Sequence, residues 1–317
     1  MWQALVRSTR QLFADLSRSL GGERQCRAAS RAPATDAPLQ ALERVVLTDG
    51  VGRTLFEEYS AHRAQARGEE ETGWILLGLR KAKEAVVLAT LPAGAERDAS
   101  VAHVRFNTSA QALGSRIVRQ ADRRLNILGV VHTHPGSLRH PSDGDYRGDS
   151  EWVRQLRGGE GIFAIGTADG DGDGEGLFAS QPRPHMQRLG KLALSWYALR
   201  CGDRGYRPLP VGLTLGPDVA RPLHPIWSVV EHHADQLERL YRQQAGVTFE
   251  PVLRGKVKGL VVNIPLAERG HALRVLLEED EVRYYVIRGD EVLEVDACET
   301  RVDRGTYLLL AELAAQA

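Results

Sequence analysis

The stretch His132-Thr133-His134-Pro135-Gly136-Ser137-Leu138-Arg139-His140-Pro141-Ser142-Asp143-Gly144-Asp145 decides how this chain is read. It follows Leu125 to Val131, a near-continuous apolar run suited to a strand buried on both faces, and it enters a helix predicted over Ser142 to Leu156. If the strand runs on through His132 and His134, both imidazoles share one face, because strand side chains alternate. If the chain is already turning, Pro135 and Gly136 bend it so that both rings still converge. Asp145, in the first turn of the helix that Ser142 opens, faces back toward the strand end. Two imidazoles and one carboxylate are enough protein ligands for a catalytic zinc ion that keeps a fourth position open. An isolated His-x-His is common, and Ser142-x-x-Asp145 alone reads as a capping box serving only helix amides. The two signals in this order are far more specific, and they point to metal-assisted hydrolysis.

Working outward, Glu69-Glu70-Glu71 precedes Thr72-Gly73 and the apolar run Trp74 to Leu79, which pairs as a hairpin with Glu84 to Leu91. Strands are predicted at Arg44 to Leu47, Val101 to Phe106, Gly161 to Thr167, Gly176 to Ala179 and Arg207 to Leu215. Helices are predicted at Val51 to Arg67 and Ser109 to Arg123, and Met186 to Arg200 carries no clear period. Beyond Gly216-Pro217, Ile226 to Gln244 reads as a helix with Val229, Val230, Leu237, Leu240 and Tyr241 on its apolar side. Strands at Gly259 to Ile264, Glu281 to Ile287 and Glu291 to Val295 follow, the last two joined by an Arg288-Gly289-Asp290 turn, and a final helix covers Thr306 to Ala314. Three parts result: 1–38, an amphipathic helix (Trp2, Leu5, Leu12, Phe13, Leu16, Leu20) and a Pro-containing linker from Gly21; 39–215, an α/β domain; and 216–317, a smaller α+β domain. The first helix lacks the continuous apolar core of a secretory signal and suits docking on the protein's own body or on a partner.

The 317 residues are 43% apolar and 26% charged with a formal net charge of zero, so nothing overall favours nucleic acid or an anionic membrane. No apolar run reaches the roughly 18 residues needed to span a bilayer. Cys26, Cys201 and Cys298 match no CxxC spacing and read as free thiols of a reducing cytoplasm. The only lysines are Lys81, Lys83, Lys191, Lys256 and Lys258, against abundant arginine. Asp169, Asp171, Asp173 and Gly174 imitate the start of an EF-hand loop, but its twelfth position is Ser180, not glutamate, and a Gly/Asp-rich turn is the better reading. His232 and His233, adjacent within a helix, do not share a face and read as surface or packing residues.

The run His-Thr-His-Pro, the seven residues between His134 and Ser142, and Ser-x-x-Asp together resemble the JAMM motif of the JAB1/MPN/Mov34 metalloprotease family. Glu71-Thr72-Gly73-Trp74-Ile75-Leu76-Leu77-Gly78 resembles that family's remaining element, in the style of its prokaryotic deubiquitinase-like members. The resemblance covers roughly Leu42 to Leu215. It implies an MPN domain with a central mixed β-sheet flanked by helices, and one zinc ion held by His132, His134 and Asp145. It also implies Glu71 as general base and then general acid, and Ser142 as donor to the developing oxyanion. A one-residue shift of register would promote Glu70 in place of Glu71. His140 is not part of the pattern.

What the resemblance implies for function is a zinc isopeptidase that cleaves amide bonds after a ubiquitin-like modifier in a bacterial conjugation pathway. It would deconjugate targets or process precursors, with E1-like and E2-like proteins as further partners. Three alternatives stand beside it: processing of a small sulfur-carrier protein or peptide, a non-catalytic binding scaffold, and kinship with RadC-like proteins linked with DNA. The neutral charge and the lack of a basic stripe argue against the last. The C-terminal part, without a chemical motif, is expected to recognise substrate or partner.

Overall fold

The computed structural model describes residues 38–99, 104–169, 179–255, 257–296 and 299–315. The predicted N-terminal helix, the linker up to Ala37, the first half of the strand expected at Val101 to Phe106, the loop carrying Asp171, Asp173 and Gly174, and Cys26 and Cys298 lie outside the described residues.

The first part contains β1 (Arg44–Thr48), α1 (Asp49–Arg63), β2 (Gly73–Arg80), β3 (Glu84–Pro92), the two-residue strands β4 (Asp98–Ala99) and β5 (Val104–Arg105), α2 (Thr108–Ala121), β6 (Asn126–Thr133) and α3 (Asp143–Trp152). It continues through β7 (Glu160–Thr167), β8 (Ser180–Arg183), β9 (Met186–Leu189), β10 (Leu192–Arg200), β11 (Arg207–Pro208) and β12 (Val211–Thr214). These strands build a mixed sheet in the order β12-β1-β3-β2-β6-β7-β10-β9-β8, with β11 paired to β10. β1 runs parallel to β12 and β3, β6 runs parallel to β7, and β2 is antiparallel to both of its neighbours.

Both faces of this sheet are buried, which explains the continuous apolar runs. One face packs Leu76, Val87, Val131 and Trp196 under α1, whose Val51, Leu55, Phe56 and Tyr59 recur at helical spacing. The other packs Ile75, Leu77, Leu91, Val130 and Phe163 against Leu113 and Ile117 of α2. Each fully buried aliphatic or aromatic side chain contributes about 1.5–3 kcal/mol. Within β6 the alternation slips once: pairing with β2 jumps from Gly129 to Ile127. Ile127 therefore shares a core with Val130, and Leu128 shares the opposite one with Val131. Gly129 lies at this slip because a Cβ there would come within 1.7 Å of the Ile162 carbonyl oxygen, so only glycine lets β6 and β7 approach.

The second part begins with α4 (Trp227–Gln243). An antiparallel meander follows, made of β13 (Thr248–Arg254), β14 (Val257–Pro265), β15 (His271–Leu277), β16 (Val282–Arg288) and β17 (Glu291–Val295), and α5 (Val302–Ala315) closes it. Its inner face (Leu260, Val262, Leu273, Val275, Tyr284) packs with Leu237 and Leu240 of α4, in the same core cluster as α2. Polar links reinforce the junction. Arg116 makes two hydrogen bonds to the Glu238 carboxylate and lies 3.9 Å over the Tyr241 ring. Gln120 both donates to the carbonyl of Phe249 and accepts from its amide, capping the open edge of β13.

Most predicted elements are present with shifted ends. The aperiodic segment Met186 to Arg200 is the hairpin β9–β10, turning at Gly190 with φ +55°, a conformation glycine adopts without steric cost. The strand expected over Arg207 to Leu215 is split into β11 and β12, because Pro210 has no N–H to give to a ladder. The expected strand at Gly176 to Ala179 falls largely outside the described residues, and the next strand starts at Ser180. β13 and β15 were not anticipated. Pro251 interrupts the first, which tolerates proline as an edge strand, and His271 and Arg274 dilute the second. Among the described residues no helix is long and apolar enough to cross a membrane.

Candidate metal centre

β2 and β6 bring the acidic and imidazole groups together. Gly73 pairs with His132 across the two strands, and a Cβ on Gly73 would fall 2.5 Å from the Val131 carbonyl oxygen. Thr133 locks the approach: its amide donates to Thr72 O at 2.9 Å, and its hydroxyl accepts from Thr72 N at 2.9 Å. The His134 amide donates to Gly166 O of β7 at 2.8 Å. Both histidines are thereby fixed through the backbone before any side chain acts.

His132, His134 and Asp145 offer ligand atoms that all lie within 4.8 Å of one another. The two Nε2 atoms are 3.1 Å apart; His132 Nε2 is 3.3 Å from Asp145 Oδ1, and His134 Nε2 is 3.4 Å from Asp145 Oδ2. Ligands at about 2.0–2.1 Å around a tetrahedral zinc are separated by about 3.3 Å, so the donor set fits that ion. The Nδ1 of His134 faces the Leu138 carbonyl at 2.8 Å; donation there leaves Nε2 with its lone pair toward the cluster, the usual arrangement behind a ligating imidazole.

The electrostatics agree. Burial works to raise the Asp145 carboxyl, but hydrogen bonds from His132, His134 and Ser142 together with the His132 charge outweigh it and hold the group far below the usual carboxylate range. Burial works to lower His134; hydrogen bonds to Asp145 and Leu138 and the charges of Asp145 and Glu71 overcome it and raise the imidazole. The pocket favours positive charge at its centre.

α3 opens as expected at Ser142, with Asp145 in its first turn. The Ser142 hydroxyl accepts from Asp145 N at 3.2 Å, while Asp145 Oδ2 accepts from Ser142 N at 2.6 Å and from Ser142 Oγ at 2.7 Å. The capping box is present and shares its carboxylate with the candidate ligand group. The three glutamates separate cleanly. Glu69 pairs with Arg63 and Glu70 with Arg67 at the surface, whereas Glu71 is 4% exposed and lines the same cavity as His132, Ser142 and Asp145.

The other candidates fall elsewhere. His140 is exposed, its Nδ1 beside its neighbour's carbonyl. Asp169 is held by Arg139. His233 is buried, which pushes its imidazole down to about 4, and it lies edge-on to His232.

The structure adds groups that the sequence reading passed over. The cavity measures about 1420 Å³ and continues from the cluster along α2, α3 and β6 to Tyr241 and Gln244 to Thr248. Asp149 lies on its wall, four positions after Asp145 and so on the same helix face. Burial raises its carboxyl to about 6 against a hydrogen bond from the Tyr206 hydroxyl at 2.7 Å. The i, i+4 repeat of Asp145 and Asp149 was the available signal. Arg119 also lines this cavity, and nothing in the local sequence marked it.

Against known proteins, no curated protein matches in sequence. Among solved structures, the solution structure of a Desulfitobacterium hafniense protein aligns with 55% of this chain and 95% of its own at 17% identity and a TM-score of 0.35. The model of the prokaryotic homologs of the JAB domain matches residues 53–176, a span containing Glu71, His132, His134, Ser142 and Asp145. Residues 53–176 are thus similar to the prokaryotic homologs of the JAB domain.

Proposed function

We propose that this protein is a zinc-dependent peptidase of the isopeptidase kind, cleaving the amide bond after a ubiquitin-like modifier in a bacterial, cytoplasmic conjugation pathway. The observation that carries the reading is the convergence of His132, His134 and Asp145, with His132, Asp145 and Glu71 lining one cavity. Conjugates of the modifier, and E1-like and E2-like proteins, are the partners this reading entails.

His132 Nε2, His134 Nε2 and Asp145 would hold the ion. When bound, zinc supplies Lewis acidity, lowering the pKa of a water and polarising the scissile carbonyl. Glu71 takes the proton that the attacking water loses and delivers it to the leaving amine, a base and then an acid at one carboxylate. Ser142 Oγ, which donates to Asp145 Oδ2 in this structure, redirects that hydrogen to the carbonyl oxygen as charge develops there. Thr133 and the Leu138 carbonyl keep the histidine backbone and tautomer fixed while this happens.

The test combines zinc content with cleavage of a modifier carrying a C-terminal extension, and of one joined to lysine, by the parent and Glu71→Gln proteins. One zinc per chain, cutting by the parent and its loss in the variant are the expected results. Bound zinc without cleavage of either substrate would instead leave a binding scaffold.

A further inference from the structure

We infer that the groove leading away from the metal centre receives an extended polypeptide segment bearing an acidic side chain about five residues from the scissile amide, and that Arg119 is the specificity residue that reads it. The inference rests on the peptidase reading for the location of that amide, while the groove and its charge stand on their own geometry.

The groove has a direction. Phe106, just ahead of α2, lies against Gly73 at the His132 end, since a Cβ on Gly73 would come within 3.0 Å of its ring. Gln120, near the other end of α2, is bonded to Phe249 of the second sheet. α2 therefore runs antiparallel to β6, and both line the cavity along their length through Thr108, Gln111, Ser115 and Arg119 on one side and His132, Val130 and Ile127 on the other. The helical rise from Thr108 to Arg119 spans about 17 Å, and the strand from His132 back to Ile127 spans about the same. An extended peptide covers that distance in about five residues.

The two ends differ in charge. Glu71, Asp145 and Asp149 lie at the metal end. At the far end Arg116 is neutralised by Glu238 and stacked on Tyr241, but Arg119 forms no ion pair with any described carboxylate. Its Nε is buried without a hydrogen-bond partner. Burial and the neighbouring Arg116 charge both work against its protonated form, and no ion pair among the described residues compensates it. An unpaired guanidinium donor is costly, and a carboxylate is the group whose geometry matches a guanidinium best. Arg123 extends the same wall, exposed.

The remaining wall, Tyr241 and Gln244 to Thr248, comes from beyond residues 53–176. The specificity is thus a property of this chain's combination of parts. The chain's own first 37 residues carry six arginines against three acidic residues, the wrong sign for this end of the groove. A separate acidic segment is the occupant.

The experiment uses zinc-loaded full-length protein and ten-residue fluorescent peptides with Glu or Gln five residues from the central amide, on its acyl or its amine side. Anisotropy with Glu71→Gln protein should show about tenfold tighter binding of one Glu peptide over its Gln twin. The preference should vanish in Arg119→Gln on that background and persist in part in Arg119→Lys, which keeps the charge should the Gln variant fold poorly. Equal binding of Glu and Gln peptides overturns the inference, even if the parent enzyme cleaves modifier fusions. Arg119-dependent binding with no cleavage by the parent upholds the inference and rejects the peptidase reading.

Discussion

Asp145 Oδ2 accepts from both the amide and the hydroxyl of Ser142, at 2.6 and 2.7 Å, while lying 3.4 Å from His134 Nε2. One carboxylate oxygen thus caps the start of a helix and faces the imidazole pair. Ser142→Ala should cost about 1 kcal/mol as a lost N-cap and lower turnover about 10²–10³-fold as a lost oxyanion donor. Chemical denaturation and steady-state kinetics on one preparation separate the two, and a rate loss no larger than tenfold would remove Ser142 from the reaction.

Removing a ligand should remove the ion. His134→Ala and Asp145→Ala should bring zinc from one per chain to near zero by elemental analysis, and a chelator should lower the melting temperature of the parent but of neither variant. The linkage is large: free zinc at 1,000 times its dissociation constant adds about 4 kcal/mol to folding. A chelator-insensitive parent would mean that no ion is held there.

Glu71→Gln should keep zinc and melting temperature and lose about 10²–10⁴-fold in turnover. Glu70→Gln, which disturbs only a surface pair with Arg67, should leave turnover unchanged. The reverse pattern would shift the role by one residue.

His224 ties the segment before α4 to α1 and β3: its Nδ1 donates to Glu58 and its Nε2 to the Thr90 carbonyl at 2.8 Å. Both ring nitrogens donate only when the imidazole is charged. Burial works to lower it, but the Glu58 hydrogen bond and charge raise it above its ordinary 6.5. Burial works to raise Glu58, and its bonds to His224 and Trp74 lower it below its ordinary 4.5. A raised histidine stabilises fully below its unfolded value and loses this as pH rises through the folded one; a lowered carboxyl loses its share as pH falls through its folded value. The pair therefore contributes most between about 4.5 and 6.5. His224→Gln should flatten the decline of melting temperature above that window, and an unchanged pH profile would show the imidazole to be uncharged.

Asp149 carries the opposite sign. Its carboxyl, raised by burial to about 6 from an ordinary 3.8, binds a proton more tightly folded than unfolded, so the metal-free protein loses stability as pH rises between those values. Asp149→Asn should raise the melting temperature of metal-free protein at pH 7.5 and leave it unchanged at pH 3.5. A destabilised variant at pH 7.5 would mean that the Tyr206 hydrogen bond outweighs the desolvation.

Much of this was legible in order along the chain. The run Leu125 to Val131 shows a strand suited to burial because its apolar residues are near-continuous, and His132 to Asp145 displays its candidate ligands because spacing alone limits how far apart they can fall. β13 was hidden by Pro251, and β9–β10 by a turn whose only sign is Gly190. Nothing local marked Arg119, because its meaning comes from what fails to pair with it across the groove.

The one-dimensional pattern settled that a strand end and a helix start carry two imidazoles, a hydroxyl and a carboxylate, since those placements follow from backbone periodicity. Which glutamate turns inward, that half-buried Asp149 lines the cavity beside Asp145, and that α4 and the second sheet wall the same cavity were decided only by folding. Burial and charge balance are sums over neighbours distant in sequence, and no short-range pattern encodes them.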